Sequence, residues 1–316
     1  MTLSVLRTDD AWWVQREAGV VSRLATDAST TAELLADPQA LRQAADRATS
    51  PTAHVEDLEL RSPVTAPCRV VAQMTNYRSH VVDAGMNPDA VPLTFFRKSS
   101  GSITGPDSPV VRPAHVGLLD YEVEIGLVFG REMPVGSEVT AQNLHQFVAG
   151  LVLTNDVSAR DVQLPKTQFY ESKSYPTFTP VGPALVLLEE HELARFGDLQ
   201  LRLSVNGEQR QSAQVAGDML FQPVEALRAL TRFQRMDPGD LLLTGTPVGT
   251  ALSAPPKVVE VLASLLPPQV KWRTFFSRQA KNPRYLQPGD LVVASAATAD
   301  GRIDLGSQHN VIEARG

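Results

Sequence analysis

The chain has 316 residues, 43% of them hydrophobic and 20% charged, with a formal net charge of -6. That is enough apolar material for one large domain or two smaller ones, while the acidic balance argues against nucleic acid as a partner and no run approaches the ~18 apolar residues of a membrane helix. Cys68 is the single cysteine, so neither an internal disulfide nor a multi-cysteine zinc site is available, and Asp9, Asp10 and Glu17 stand where a signal peptide would be apolar. A cytoplasmic protein, metal-dependent or cofactor-free, is the expectation.

In chain order, short strands are expected at Leu3–Leu6, Trp12–Val14 and Gly19–Leu24. Residues 31–48 carry helical signals, with Thr31 ahead of Glu33 and with Leu34, Leu35, Leu41 and Ala45 at roughly helical spacing. A polar stretch containing Pro51, Pro63 and Pro67 reads as a linker, which divides a small N-terminal domain, 1–65, from a second domain, 66–316. An apolar strand, Val70–Met74, then leads into Asn-Tyr-Arg-Ser-His-Val-Val-Asp. If this segment is helical, His80 and Asp83 lie at i and i+3 and face one another. A carboxylate beside an imidazole orients it as a general base. A lone histidine is more often a satisfied or surface residue, and the chain has 6.

The run Asp120-Tyr-Glu-Val-Glu-Ile-Gly-Leu-Val-Phe129 is the most informative in the chain. Strand alternation puts Tyr121, Val123, Ile125, Leu127 and Phe129 on one face, with Glu122 and Glu124 on the other beside Gly126, which has no side chain to crowd them. Neighbouring carboxylates on a partly buried strand repel and lose hydration, a cost that a divalent cation converts into affinity. A hard cation needs further oxygen ligands, and Asp156, at the end of the apolar run Val152–Asn155, is one candidate; an Asx-turn is its plainer role. Arg160 and Asp161 are readable as a structural ion pair. Lys173 precedes an extended Pro-rich stretch, where it is either a solvated lysine or a cation that stabilises a developing enolate.

Further strands are expected at 147–154, 184–188, 199–205, 241–244 and 291–295, with one clear helix at Leu220–Leu230. Pro-Gly-Asp occurs at 238–240 and again at 288–290, each time launching an apolar strand. Thr244-Gly-Thr-Pro-Val-Gly249 follows the first of these strands; its glycines let backbone approach a ligand, and the Thr246 hydroxyl is a donor for a carboxylate. Residues 251–286 form an irregular segment with Pro255, Pro256, Pro267 and Pro268, a possible short helix at Val258–Leu266, and a basic stretch from Lys271 to Arg284. A surface excursion is the plainer reading, and a cationic lid or dimer contact the sharper one.

Taken together, Asn-Tyr-x-x-His at 76–80, Phe-x-Lys-Ser-Ser at 96–100, Asp-Tyr-Glu-x-Glu at 120–124, Asn-Asp-x-Ser-Ala-Arg-Asp at 155–161, Lys173, Val-Asn-Gly-Glu at 205–208 and Pro-Gly-Asp…Thr-Gly-Thr-Pro at 238–247 resemble the fumarylacetoacetate hydrolase family. The resemblance covers about 68–250 and resumes from Leu286. It implies a β-rich α+β fold, a mixed β-roll or sandwich, paired as a homodimer. It implies Mg²⁺, Mn²⁺ or Ca²⁺ on Glu122, Glu124 and Asp156, with His80, Asp83 and Lys173 as catalytic groups. Tyr77, Arg78, Lys98, Arg160, Gln163 and Thr246 are implied at the substrate. Two departures stand out: Asp83 where many members carry Glu, and the long 251–286 insertion.

The expected reaction is hydrolysis of a carbon–carbon bond in an acylpyruvate-like 1,3-diketo acid, of the kind met in aromatic catabolism. His80 would activate water, and the metal and Lys173 would stabilise the pyruvate enolate. Decarboxylation of a β-keto acid and isomerisation of a 2-hydroxydienoate use the same enolate site. A non-catalytic metal-binding protein would keep the carboxylates and need neither His80 nor Lys173.

Overall fold

The computed structural model describes residues 2–315 except Ala18, Thr49, Thr167 and 253–266. The possible helix at Val258–Leu266 therefore lies outside the described residues.

A 10-stranded sheet organises the chain, in the order Thr52–His54, Val20–Arg23, Trp12–Glu17, Leu3–Arg7, Ala184–Leu187, Val148–Asn155, Val123–Phe129, Leu241–Leu243, Val70–Met74 and Thr94–Lys98. The first 65 residues thus add strands to one edge of this sheet: Leu3–Arg7 pairs antiparallel with Ala184–Leu187. A 5-stranded sheet runs Glu208–Gln214, Leu199–Val205, Leu291–Thr298, Asp304–Ala314 and Val110–Arg112. The fold is a β-rich α+β architecture.

Val123–Phe129 is buried at every residue, and its faces serve different cores. Val123, Ile125, Leu127 and Phe129 join Leu199, Leu201, Leu203, Val292 and Ile312 beneath the 5-stranded sheet. Val128 packs on the other side with Val5, Trp12, Leu34, Leu35 and Leu41, so the N-terminal strands and helices close that face. Each such side chain contributes roughly 1.5–3 kcal/mol on burial, which makes this strand a rigid base for the carboxylates at its start. Gly126 does not leave room for the glutamates. A Cβ there would meet Leu241 Cδ1 and Val152 Cγ2, each at 2.7 Å, so the glycine lets neighbouring strands interlock.

The helical region at 31–48 is two helices, Thr31–Leu35 and Pro38–Arg47. Thr30 and Glu33 form a capping box for the first, and Asp37 caps Gln39 and Ala40 in the second. Arg78–Asp83 is helical and so is Pro223–Leu230. Within the segment read as irregular, Pro268–Gln279 is a helix. Proline fits the first turn, where no intrahelical N–H is needed, so the Pro267-Pro268 pair marks a helix start rather than a break.

Candidate metal centre

Glu122, Glu124 and Asp156 come together. Each offers a carboxylate oxygen within 4.8 Å of the others, and all are buried. The register explains the meeting: Val123 pairs with Asn155 and Glu124 with Thr154, so Asp156 emerges opposite Glu122 as the strands end. Glu122 stands just before its strand rather than in it, fixed where its N–H donates to Asn155 Oδ1 at 2.9 Å and its carbonyl accepts from Asp156 N at 2.8 Å.

Buried cations partner these carboxylates unequally. Lys173 Nζ donates to Glu122 Oε2 at 2.6 Å and to Asp156 Oδ2 at 2.7 Å. Lys98 donates to Asp156 Oδ1 and, at 2.9 Å, to the Phe178 carbonyl. Arg160 joins Glu122 to Asp120, with Nε 2.8 Å from Asp120 Oδ2, and donates to Gln163 Oε1 at 2.8 Å. Glu124 accepts from the Gly245 N–H at 2.7 Å and has no cationic partner among the described residues.

The electrostatics follow the partners. Burial alone would raise the Glu122 carboxyl, but Lys173 and Arg160 pull it down to about 2. Burial pushes Glu124 well above the usual carboxylate range, and the charges of Asp156 and Glu122 push the same way. For Lys173, burial disfavours the charge, yet Asp156 and Glu122 prevail and hold it above its ordinary value. Lys98 is lowered, because burial outweighs Asp156.

This donor set fits a divalent cation. The ligands are all oxygen, as hard cations require, and Glu124 is a buried carboxylate with no ion-pair partner among the described residues. Asp120, Glu122, Glu124 and Asp156 are opposed by Lys98, Arg160 and Lys173, all buried. With Glu124 holding its proton these charges balance, and a bound dication that replaces the proton would leave one net positive charge, suited to an anionic ligand.

The other expected residues divide. Lys173, Lys98, Arg160 and Gln163 surround the carboxylates. Lys98 has a fully buried side chain spent on Asp156 and the Phe178 carbonyl, so it fixes the Asp156 carboxylate in place. Tyr77 is buried with its hydroxyl unpartnered among the described residues. His80 lies within electrostatic reach of Glu122 and Arg160; burial lowers its pKa below 6.5, with Glu122 opposing. Its Nδ1 is buried without a partner, and no hydrogen bond joins it to Asp83 among the described residues. Arg78 is exposed and pairs with Asp89 at 3.1 Å. The Thr246 hydroxyl donates to the Val123 carbonyl at 2.9 Å and accepts from Gln211 Nε2 at 2.9 Å, which leaves its proton engaged. Arg160 does not pair with Asp161, which instead accepts from Gly117 N at 2.7 Å. Adjacent side chains diverge, whereas Asp120 and Glu122 share the face that Arg160 meets.

Asp120 was not singled out by sequence. It also accepts from Ala251 N at 2.7 Å and Leu252 N at 3.1 Å, tying the start of the insertion to the site. Its place in alternation with Glu122 and Glu124 was the available signal. Gln211, which accepts from Val123 N at 3.0 Å, carried none.

The family model described as fumarylacetoacetate (FAA) hydrolase C-terminal matches residues 69–313, which include every one of these groups. The chain belongs to the fumarylacetoacetate hydrolase family. Among curated relatives, it is 34% identical over 198 residues to the mitochondrial oxaloacetate tautomerase Fahd2a of Rattus norvegicus, covering 62% of this chain and 61% of that protein. It is 32% identical over 208 residues to the oxaloacetate tautomerase YisK of Bacillus subtilis, covering 64% and 67%. A probable 2-hydroxyhepta-2,4-diene-1,7-dioate isomerase from Mycobacterium abscessus superposes with a TM-score of 0.74 at 28% identity, over the whole of both chains. The fumarylacetoacetate hydrolase of Exiguobacterium antarcticum gives 0.73 at 27%, again over both chains. Family members named in this way are enzymes of tautomerisation, isomerisation or hydrolysis.

Proposed function

We propose that the protein is a divalent-metal-dependent enzyme that interconverts the keto and enol forms of a 2-oxo acid of the oxaloacetate type. The observation that carries this reading is the Glu122, Glu124 and Asp156 cluster with Lys173 bridging two of its members. The names of the two curated relatives favour tautomerisation within the family.

The three carboxylates would hold the cation, with Mg²⁺ as the proposed ion and Mn²⁺ or Ca²⁺ as chemically similar choices. When bound, it supplies Lewis acidity to the keto oxygen of the substrate. Lys173 adds positive charge where enolate charge develops, and its own contacts to Glu122 and Asp156 fix its position. Keto–enol exchange removes one proton from the carbon beside the carbonyl, returns one to oxygen, and consumes no water. His80, kept neutral near pH 7 by burial, is the proposed proton acceptor.

Hydrolysis of an acylpyruvate is the second reading. The Arg78–Asp83 helix keeps Asp83 one turn beyond His80, the spacing a water-activating dyad uses. The unpartnered Nδ1 of His80 weighs towards proton transfer without water.

The test is an assay of Mg²⁺-loaded protein on enol-oxaloacetate and on acetylpyruvate. Faster enol loss with intact acetylpyruvate supports the tautomerase reading. Stoichiometric release of acetate and pyruvate, without any effect on the oxaloacetate enol, would replace it with the hydrolase.

A further inference from the structure

The helix that carries His80 is not capped from within. Its N-cap residue, Tyr77, makes no side-chain capping bond. The exposed donors of the first turn are met by Asp218, 139 residues away, which lies in a turn after the Glu208–Gln214 strand. Asp218 Oδ1 accepts from Ser79 N at 2.8 Å, Oδ2 accepts from Ser79 Oγ at 2.5 Å, and the Asp218 carbonyl accepts from Arg78 N at 2.7 Å. A carboxylate at this position also favours the helix electrostatically.

The same few residues reach a second loop. Ser79 Oγ accepts from Val248 N at 3.4 Å, in the loop that carries Thr246. Behind the helix start, Asn76 Nδ2 donates to the Phe221 carbonyl at 3.0 Å and the Thr244 carbonyl at 2.8 Å, while Phe221 N returns a bond to Asn76 Oδ1 at 2.9 Å. Among the described residues no side-chain hydrogen bond joins the other end of the helix to another segment; Val82 is 58% exposed, and Met86 just beyond is 43% exposed. His80 directly follows the held residue Ser79, and Val81 beyond it is buried, so the orientation of this first turn sets where His80 stands.

We infer that Asp218 is the positioning residue of the His80 helix, holding the imidazole against the Glu122, Glu124 and Asp156 centre through Ser79. This rests on the reading of His80 as the proton-transfer group. Asp218 touches no ligand of the metal centre among the described residues, so its effect runs through His80 and not through metal binding.

The test compares Asp218→Ala, Asp218→Asn and Ser79→Ala in the Mg²⁺-loaded enzyme, each with and without His80→Ala. Asp218→Ala should lower kcat about 10- to 100-fold, with KM and metal affinity within about twofold, because misplacement of about 1 Å carries a cost of that order. Asp218→Asn keeps an acceptor for Ser79 N and should recover most of that loss. In the His80→Ala background Asp218→Ala should have no further effect. A kcat for Asp218→Ala within about twofold of wild type, or an undiminished loss in the His80→Ala background, overturns the inference while leaving the functional reading intact. Wild-type activity in His80→Ala alone overturns both. If Asp218→Ala does not fold, Ser79→Ala decides: a lower kcat with unchanged metal affinity supports the inference, and an unchanged kcat overturns it.

Discussion

The Gly245 N–H donates to Glu124 Oε2 at 2.7 Å, and this is the one hydrogen bond that Glu124 makes among the described residues. Glu122 and Asp156 sit in the grip of lysine and arginine; Glu124 has a neutral dipole alone. The missing positive charge at Glu124 distinguishes a cation site from a self-neutralised ion-pair network.

A pH dependence follows. Glu124 has an ordinary value of 4.5 and is raised well above it in the folded chain. From 4.5 up to the raised value the folded chain holds a proton that the unfolded chain has released, so stability contributed by that proton is present below this window and lost as pH rises through it. Thermal melts of metal-free protein should therefore show the wild type losing ground to Glu124→Gln as pH rises. Saturating Mg²⁺ should reverse the order, since it replaces the proton in the wild type and has lost a ligand in the variant. Parallel curves in both conditions would refute this.

Lys173→Ala should destabilise the metal-free protein by about 3–5 kcal/mol, the usual consequence of leaving a buried charge without its partner. Urea denaturation measures this directly. Mg²⁺ should restore part of the stability but not the activity, because the proposed reaction also needs the Lys173 charge beside the developing enolate.

His80→Ala should lower turnover about 10²- to 10⁴-fold while leaving metal affinity unchanged, the range of a lost general acid–base group. Burial holds the His80 pKa below 6.5, so the acid limb of the wild-type pH–rate profile should lie below that value. The sign for stability is the same: the folded chain takes up its proton later than the unfolded chain, so stability is lost as pH falls below 6.5. A limb above 6.5 would assign the titrating group elsewhere.

Gly245→Ala should weaken metal binding. Gly245 has φ of +88°, and an added Cβ would meet Asn76 Cβ at 2.7 Å. The left-handed conformation alone costs a non-glycine residue about 1–2 kcal/mol, and relief moves the N–H away from Glu124. Calorimetric titration with Mn²⁺ reads the loss; an unchanged affinity would show that the Gly245 contact is dispensable.

Glu122 and Glu124 were legible in sequence because alternation along one strand places them by local geometry; Asp156 is open between metal ligand and Asx-turn until the family resemblance implies it as the third ligand, and its pairing opposite Glu122 is seen only in the register. Partners set by distant segments were not legible. Arg160 meets Asp120 and Glu122, 40 and 38 residues away, and nothing near Arg160 encodes that choice. Leu3–Arg7 reads as a strand from its own residues, but its pairing with Ala184–Leu187 depends on register across most of the chain. Gly126 is tight for a reason held by Leu241 and Val152 on neighbouring strands. The Pro268–Gln279 helix was hidden by its leading prolines, whose helix-starting and helix-breaking roles look alike until the following turn is seen.

The most direct test of the central claim is the oxaloacetate enol-to-keto rate measured on chelator-treated protein as Mg²⁺ is added back. The expected result is a rate that is lost on chelation and returns in proportion to one bound Mg²⁺ per chain, with no return in Glu124→Gln. Full activity in metal-free protein, or full restoration of Glu124→Gln by Mg²⁺, would contradict it.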